Sequence, residues 1–335
     1  MKVTINDVAK EAGVSKATVS RVISNNPAIS EDTRKMVLEV IERMGYKPNQ
    51  TARNLARNKT RTIGLVFPID ARDSFGNPIY IQMMQGISQY AQENEYYLMY
   101  AFGKGKEEVK NIKAFTDSGM VDGIIILKTE DNDKLIKGLR ERKFPFVVIG
   151  RPGRETTVLW VDNDNFGATY EAVQELVQKG YKKIAFVGAK PKWTVTKDRL
   201  EGYKRGLEVN GIAFNEDWLY IGEEFNESIG HEACKNMVSN GQGRPQAVIT
   251  TDDLIALGFE RELEKLNIDD MPVVGFNNTI YGAMQHPPIS SIEIHGEQIG
   301  SEATKLLIDR IEGKIDDGCH KIVNIELMKR GRLLD

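Results

Sequence analysis

The chain has only two cysteines, Cys234 and Cys319, in 335 residues. That excludes a disulfide framework and fits a reducing cytoplasm. It has only four histidines, His231, His286, His295 and His320, and none stands at metal-ligand spacing to another or to a cysteine. No apolar run approaches the roughly 20 residues needed to cross a bilayer, so no membrane partner is expected. The first residues lack the apolar core of a secretory signal. Phosphate-binding signatures are missing too. Gly103-Lys104-Gly105-Lys106 has neither the spacing nor the hydroxyl of a P-loop, and no G-x-G-x-x-G follows the first apolar strand. Asp162-x-Asp164-x-x-Gly167 opens like an EF-hand, but Phe166 and Val173 occupy the fifth and twelfth positions, where ligands belong. No nucleophile is accompanied by a base to activate it. No catalysis, metal or cofactor is expected.

What is present is unevenly placed. Net charge is only −3, yet residues 1–61 carry twelve Lys/Arg against six Asp/Glu, and the remainder 33 against 42. A basic head on an acidic body points the head, and not the body, at a polyanion. In that head, Ile5, Val8 and Ala9 share one face of a first helix. Gly13 supplies a turn, Ser15 stands where an N-cap belongs, and Val19, Val22 and Ile23 give a second helix its buried face. The opposite face carries Lys16, Ala17, Thr18, Ser20 and Arg21, which are small, polar or cationic. This is a helix-turn-helix whose second helix suits a DNA major groove. Ser30 caps a third helix, Glu31 to about Met44, whose Val37, Val40, Ile41 and Met44 close a small core.

Thr4–Ile23 resembles the DNA-binding domain of the LacI/GalR family of bacterial transcription regulators. The following stretch, Tyr46-Lys47-Pro48-Asn49-Gln50-Thr51-Ala52-Arg53-Asn54-Leu55, is too short to hold a helix alone. Its pattern Y-x-P-N-x-x-A-R-x-L resembles the family's hinge helix. The resemblance implies that this helix folds when two subunits meet over a minor groove, with Leu55 wedged between base pairs and Ala52 permitting close approach. An ordinary linker with Leu55 packed on the body is the alternative. The DNA-contacting set expected from both stretches is Thr4, Ser15, Lys16, Ala17, Thr18, Ser20, Arg21, Asn25, Asn49, Ala52 and Leu55.

From Arg61 onward, near-continuous apolar strands alternate with amphipathic helices, which predicts parallel sheets covered on both faces. Strands are expected at Thr62–Ile69, Tyr96–Phe102, Val121–Leu127 and Phe144–Ile149, then at Lys183–Val187, Trp218–Ile221, Ala247–Thr250 and Val273–Phe276. Helices are expected between them, including Phe166–Lys179, Arg199–Asn210 and Leu254–Leu266. The fold class is therefore α/β: a three-helix head (residues 1–46), a hinge helix and linker (47–60), and a two-lobed body (61–335) of two doubly wound sheets. The family's periplasmic-binding-protein-like body implies late crossings. They put lobe 1 at about 61–161 and 292–320 and lobe 2 at about 162–291 and 321–335. They also assign the helix Glu297–Ile311 to the first lobe and the strand Lys321–Leu327 to the second.

Ligands of open parallel sheets bind beyond the carboxyl ends of the strands. Planar polar groups there, with aromatics nearby, suit a sugar. The family resemblance assigns Arg199 of Asp198-Arg199-Leu200-x-Gly202-Tyr203 to the effector, with Asp162, Asp252, Asn277 and Phe225 on its other contact positions. Asp70, Trp160 and Trp193 complete the expected set. Each has a plainer alternative. Asp162 or Asp164 caps the next helix, Asp253 caps the helix at Leu254, Arg199 makes a surface ion pair, and Trp193 and Trp218 belong to the core. Asp252 and Asn277 reverse the residue types of the lactose-specific members. V-D-N-D-N, D-R-L-x-G-Y and G-F-N-N together resemble regulators of maltose and maltodextrin use in Gram-positive bacteria. The expected partners are a pseudo-palindromic operator DNA, a small sugar effector and a second copy of the chain, with a phosphocarrier co-repressor left open. A transporter's solute-binding protein and a cytoplasmic α/β enzyme with a DNA-binding head are the competing readings.

Overall fold

Apolar residues at helical spacing produce three helices in the N-terminal unit: α1 (Ile5–Glu11), α2 (Lys16–Ile23) and α3 (Glu31–Arg43). The computed structural model describes residues 3–46, 59–67, 71–103, 105–127, 134–153, 157–239 and 243–334. Val8 and Ala9 of α1, Val19 and Val22 of α2, and Val37 and Val40 of α3 share one core. Each helix is started by a side chain. Asp7 accepts from the N–H and the hydroxyl of Thr4 at 2.8 and 2.7 Å, which holds its carboxyl below the usual carboxylate range. The Ser15 hydroxyl accepts the Thr18 N–H at 3.1 Å, and that of Ser30 the Thr33 N–H at 3.4 Å. Gly13 turns α1 into α2 at φ +66°, a conformation that costs any other residue strain. The unit comprises Met1–Thr60, and Arg61–Asp335 form a second one.

The second unit begins with β1 (Thr62–Phe67), α4 (Ala71–Gly76), α5 (Pro78–Glu93), β2 (Tyr97–Phe102), α6 (Lys106–Ser118) and β3 (Gly123–Ile126). α7 (Lys134–Glu141), β4 (Phe146–Ile149) and β5 (Leu159–Asn163) follow. The next series is α8 (Asn165–Gln178), β6 (Ile184–Gly188), α9 (Thr194–Val209), β7 (Leu219–Ile221), α10 (Glu227–Ser239), β8 (Ala247–Thr250) and α11 (Asp253–Lys265). It closes with β9 (Val273–Phe276), α12 (Ile280–Ala283) and β10 (Ser290–Glu293). α13 (Gly296–Ile311), β11 (His320–Val323) and β12 (Glu326–Met328) end the chain's regular structure. One sheet runs β11-β5-β4-β3-β1-β2 and the other β12-β10-β9-β8-β6-β7. The two orders are the same, each with a late strand added at one edge. All pairings are parallel except β10 with β12. The interior strands of both sheets are buried along their length, as expected for sheets with helices on both faces. No helix among the described residues is long and apolar enough to cross a membrane.

α13 packs on α5 and on β3, β4 and β5, which places it in the first lobe. Two glycines make the α5–α13 contact possible. A Cβ on Gly86 would stand 1.8 Å from the Glu297 carbonyl oxygen, and one on Gly300 2.1 Å from that of Met83.

Three expectations are corrected. The strand expected over Lys321–Leu327 is two strands on two sheets. Residues up to Val323 pair with β5, and Glu326–Met328 pair with β10. The alternation Val323, Ile325, Leu327 runs unbroken from one sheet to the other, so the crossing between them leaves no mark in the pattern. The helix expected from Arg199 starts at Thr194. Thr194, Val195 and Thr196 are poor helix formers by propensity, but burial of both threonines overrides it. Leu159–Asn163, where no strand is expected, is a full strand of the first sheet.

Candidate functional site

In the N-terminal unit, Lys16, Ala17, Ser20 and Arg21 lie exposed along α2, opposite buried Val19 and Val22. Thr18 is turned toward the helix start, its hydroxyl 2.9 Å from that of Ser15. Thr4 is exposed at the head of α1. Asn25 takes φ +53°, and its side-chain oxygen accepts from Arg34, which also donates to the Asn26 carbonyl at 3.0 Å. That loop is thereby fixed against α3. Asn49, Ala52, Leu55 and Asp70 lie outside the described residues.

In the second unit the carboxyl ends of the two sheets face a cavity of about 710 Å³ between the lobes. Of the expected effector residues, Asp162, Arg199, Phe225, Asp252 and Asn277 line it. Trp160 and Trp193 do not. The Trp160 ring is stacked on His320 at 4.5 Å with the Arg151 guanidinium 5.5 Å from it, and Trp193 is buried at the head of α9.

The polar wall is one connected network. Asp162, next to last in β5, accepts from the N–H groups of Arg151 and Asn163 at 2.9 and 2.8 Å, and from the Asn165 amide at 2.9 Å. Burial raises its pKa and these bonds oppose the rise. The same Asn165 side chain accepts from Arg199 Nε at 2.8 Å, while Arg199 Nη1 donates to the Thr251 carbonyl at 2.6 Å. The guanidinium lies 3.7 Å from the Phe276 ring centre. Burial lowers its pKa to about 10, so it remains a cation at neutral pH. Tyr203, one turn on, donates its hydroxyl to the Ile184 carbonyl at 2.7 Å. Between them, a Cβ on Gly202 would stand 2.2 Å from the Phe166 carbonyl oxygen, so only glycine lets α8 and α9 meet there. The R-x-x-G-Y spacing thus sets one side chain toward the cavity, one gap against a helix and one anchor onto β6.

Asp252 does two jobs. Its Oδ1 caps α11 by accepting the Leu254 N–H at 2.7 Å, and its Oδ2 accepts from Asn277 at 2.9 Å and Asn77 at 3.1 Å. Burial pushes its pKa up to about 6. The capping role expected for Asp253 therefore falls to Asp252. Asp253 instead accepts from the Thr279 N–H at 2.5 Å and the Ser291 hydroxyl at 2.7 Å, behind the cavity wall. Asp164 caps α8 through the Gly167 N–H at 2.9 Å, which leaves Asp162 to the cavity.

Apart from Asp162 on β5, the first lobe's share of the wall is absent from the expected set: Asn77, Tyr80, Met83, Phe102 and Glu107. Asn77-Pro78 carried a usable signal, an N-cap residue before a proline at the first helical position. Asn77 does cap α5, accepting the Ile79 N–H at 3.2 Å. Asn163, within V-D-N-D-N, also stands outside the expected effector set. Its amide donates to the Ile294 carbonyl at 3.1 Å and the Val323 carbonyl at 2.9 Å. Those three residues stand where the chain leaves β5, β10 and β11 for its three crossings between the lobes, so one side chain ties all three together.

Comparison with known proteins agrees with this geometry. A family model of bacterial regulatory proteins, lacI family, matches residues 4–49, and one of the periplasmic binding protein-like domain matches residues 173–331. The chain is 38% identical over 299 residues to the HTH-type transcriptional regulator MalR of Streptococcus pneumoniae, covering 88% of this chain and 90% of that protein. It is 30% identical over 332 residues to the HTH-type transcriptional regulator CelR of Thermobifida fusca, covering 98% and 97%. A solved structure of a transcriptional regulator CelR–cellobiose complex is similar at a TM-score of 0.77 and 28% identity, over 99% of this chain and 100% of that one. The basic helix-turn-helix head, the body of two like-ordered sheets and relatives matched over nearly their whole length leave one conclusion: the chain belongs to the lacI family of bacterial regulatory proteins.

Proposed function

We propose that this transcription regulator binds a pseudo-palindromic operator as a homodimer, and that maltose or a maltodextrin in the interlobe cavity changes its hold on that DNA. The observation that carries the sugar reading is the cavity wall. Asp162, Arg199, Asp252 and Asn277 present planar polar groups, and Tyr80, Phe102 and Phe225 present rings. Hydroxyl pairs need the first and the C–H faces of a sugar need the second. Maltose is favoured by the likeness to MalR; the CelR–cellobiose complex supports a disaccharide in a body of this kind. For the head, Lys16, Ala17, Thr18, Ser20 and Arg21 are the proposed groove contacts. Residues 47–60 are the proposed hinge, with Ala52 at the helix pair and Leu55 as the wedge, on the pattern Y-x-P-N-x-x-A-R-x-L. A sugar acts on DNA binding only through different affinities for two lobe arrangements.

The test is fluorescence anisotropy of a labelled operator duplex with the full chain at fixed salt. Maltose is expected to shift the binding midpoint at least about fivefold. Arg21→Ala should weaken operator binding about tenfold and lower the salt slope by about one, as for loss of a phosphate or base contact. A midpoint that no sugar moves, or an Arg21→Ala chain that binds as tightly as the parent, would count against the reading.

A further inference from the structure

Asn77 caps α5 in the first lobe and Asp252 caps α11 in the second. Asn77 Oδ1 accepts the Ile79 N–H at 3.2 Å, and Asp252 Oδ1 accepts the Leu254 N–H at 2.7 Å. The other end of each side chain meets its counterpart: Asn77 Nδ2 donates to Asp252 Oδ2 at 3.1 Å. Two helix caps, 175 residues apart in sequence, are thus bonded directly across the cleft. The contact is separate from the three chain crossings, and both residues line the cavity.

A backbone N–H needs the oxygen of the Asn77 amide and a carboxylate needs its NH2, so the two partners fix the amide in one orientation. Asn77 and Asp252 are 6% and 3% exposed, so bulk water competes weakly for the bond between them. Asn277 donates to the same Asp252 oxygen at 2.9 Å and holds it from the second lobe. The carboxylate also faces the N-termini of two helices, its own and the one Asn77 caps, each worth about half a positive charge. Tyr80, in the first turn of α5, shows the same proximity. Burial raises its phenol pKa, and the charges of Asp252 and Glu224, both on the second lobe, raise it further.

A hydrogen bond to a charged group is worth a factor of about ten or more in an equilibrium. Separating the lobes breaks this one, and bringing them together makes it.

We propose that Asn77 is a latch: through Asp252 it holds the two lobes closed before a sugar arrives, and so sets what fraction of the protein is ready to bind one. A ligand that touches both walls also favours the closed arrangement, so latch and sugar act in the same sense. The apparent sugar affinity then scales with the closed fraction. That last step rests on the sugar reading above; the latch itself does not.

Two variants separate the latch from the cap. Asn77→Ser keeps a side chain of equal capping rank that is too short to reach Asp252, and Asn77→Ala loses cap and latch together. Spin labels at Lys110→Cys on α6 and Glu201→Cys on α9, in a Cys319→Ser background, report the distance between the lobes in the sugar-free full chain. Labelled chains are diluted into unlabelled ones so that distances within one protomer are read. Both variants are expected to raise the ratio of longer to shorter distances at least about fivefold over the parent. Asn77→Ala should also unfold at a lower temperature than Asn77→Ser, through loss of the cap. In calorimetry, maltose should bind both variants more weakly, by the factor by which the closed fraction falls. Without sugar, operator affinity of the variants should shift in the sense opposite to the shift that maltose gives the parent. Distances unchanged in both variants overturn the latch. So does opening in Asn77→Ala alone, which would assign the effect to the cap. Opening in both variants while maltose binds no chain supports the latch and removes the sugar reading.

Discussion

Arg199→Ala is expected to abolish sugar binding and to cost the body about 3–5 kcal/mol, the usual penalty for deleting one partner of a buried charged network. The reason lies in what the side chain leaves behind. Asn165 Oδ1 and the Thr251 carbonyl lose their donor. Asp162, Asp252 and Asp253 lose the cation that opposes their burial. Their carboxyls then titrate higher still, and Asp252, already raised to about 6, should become partly protonated near neutral pH. Arg199→Lys keeps the charge but loses the planar fork that serves two acceptors at once, so it should recover stability better than it recovers sugar affinity. Calorimetry with the sugar and thermal unfolding of each variant check this. Sugar affinity within about twofold of the parent in Arg199→Ala would place the effector elsewhere.

Asn163→Ala should destabilise the body by about 2–6 kcal/mol, because two buried carbonyls lose the one side-chain donor they have among the described residues, at about 1–3 kcal/mol each. The residue is 3% exposed, so water does not readily replace the amide. The carbonyls belong to Ile294 and Val323, at two of the three points where the chain passes between lobes, and Asn163 itself stands at the third. Loosening all three crossings at once should also blunt the transmission of sugar binding to the DNA head, even where the sugar still binds. Urea unfolding of wild type and variant measures the first effect, with an unchanged slope showing that the native state is still compact. A loss under about 0.5 kcal/mol would mean the tie is incidental.

Much of the fold was legible because its signals are local. The parallel sheets announced themselves as apolar runs such as Ile124-Ile125-Ile126 and Val147-Val148-Ile149, and the head as Ser15 and Ser30 standing before amphipathic helices. What escaped depends on distant partners. Nothing in Ile322-Val323-Asn324-Ile325 tells which sheet each half joins. Asp252 and Asp253 are neighbours of one type. Which of them caps α11 and faces the cavity is decided by Asn77, Asn277, Ser291 and the Thr279 N–H, which lie up to 175 residues away in sequence. The second lobe's site residues were found through short motifs that fix spacing along one helix or one strand end. Of the first lobe's residues, Asn77 has only the short signal of a cap before a proline, and Tyr80, Met83, Phe102 and Glu107, on α5, β2 and α6, have no motif at all. The Asn163 tie joins chain segments 131 and 160 residues apart, and a single asparagine in V-D-N-D-N gives no sign of it.

The central claim is that one chain holds a sugar and an operator and that each alters the other's binding. Its most direct measurement is the calorimetric affinity of maltose for the full-length protein, free and saturated with operator DNA. Linkage requires the ratio of the two affinities to equal the factor by which maltose changes operator affinity. The account predicts a ratio different from one by at least about fivefold, matching the anisotropy shift in size and sign. A maltose affinity that is the same with and without operator would contradict it.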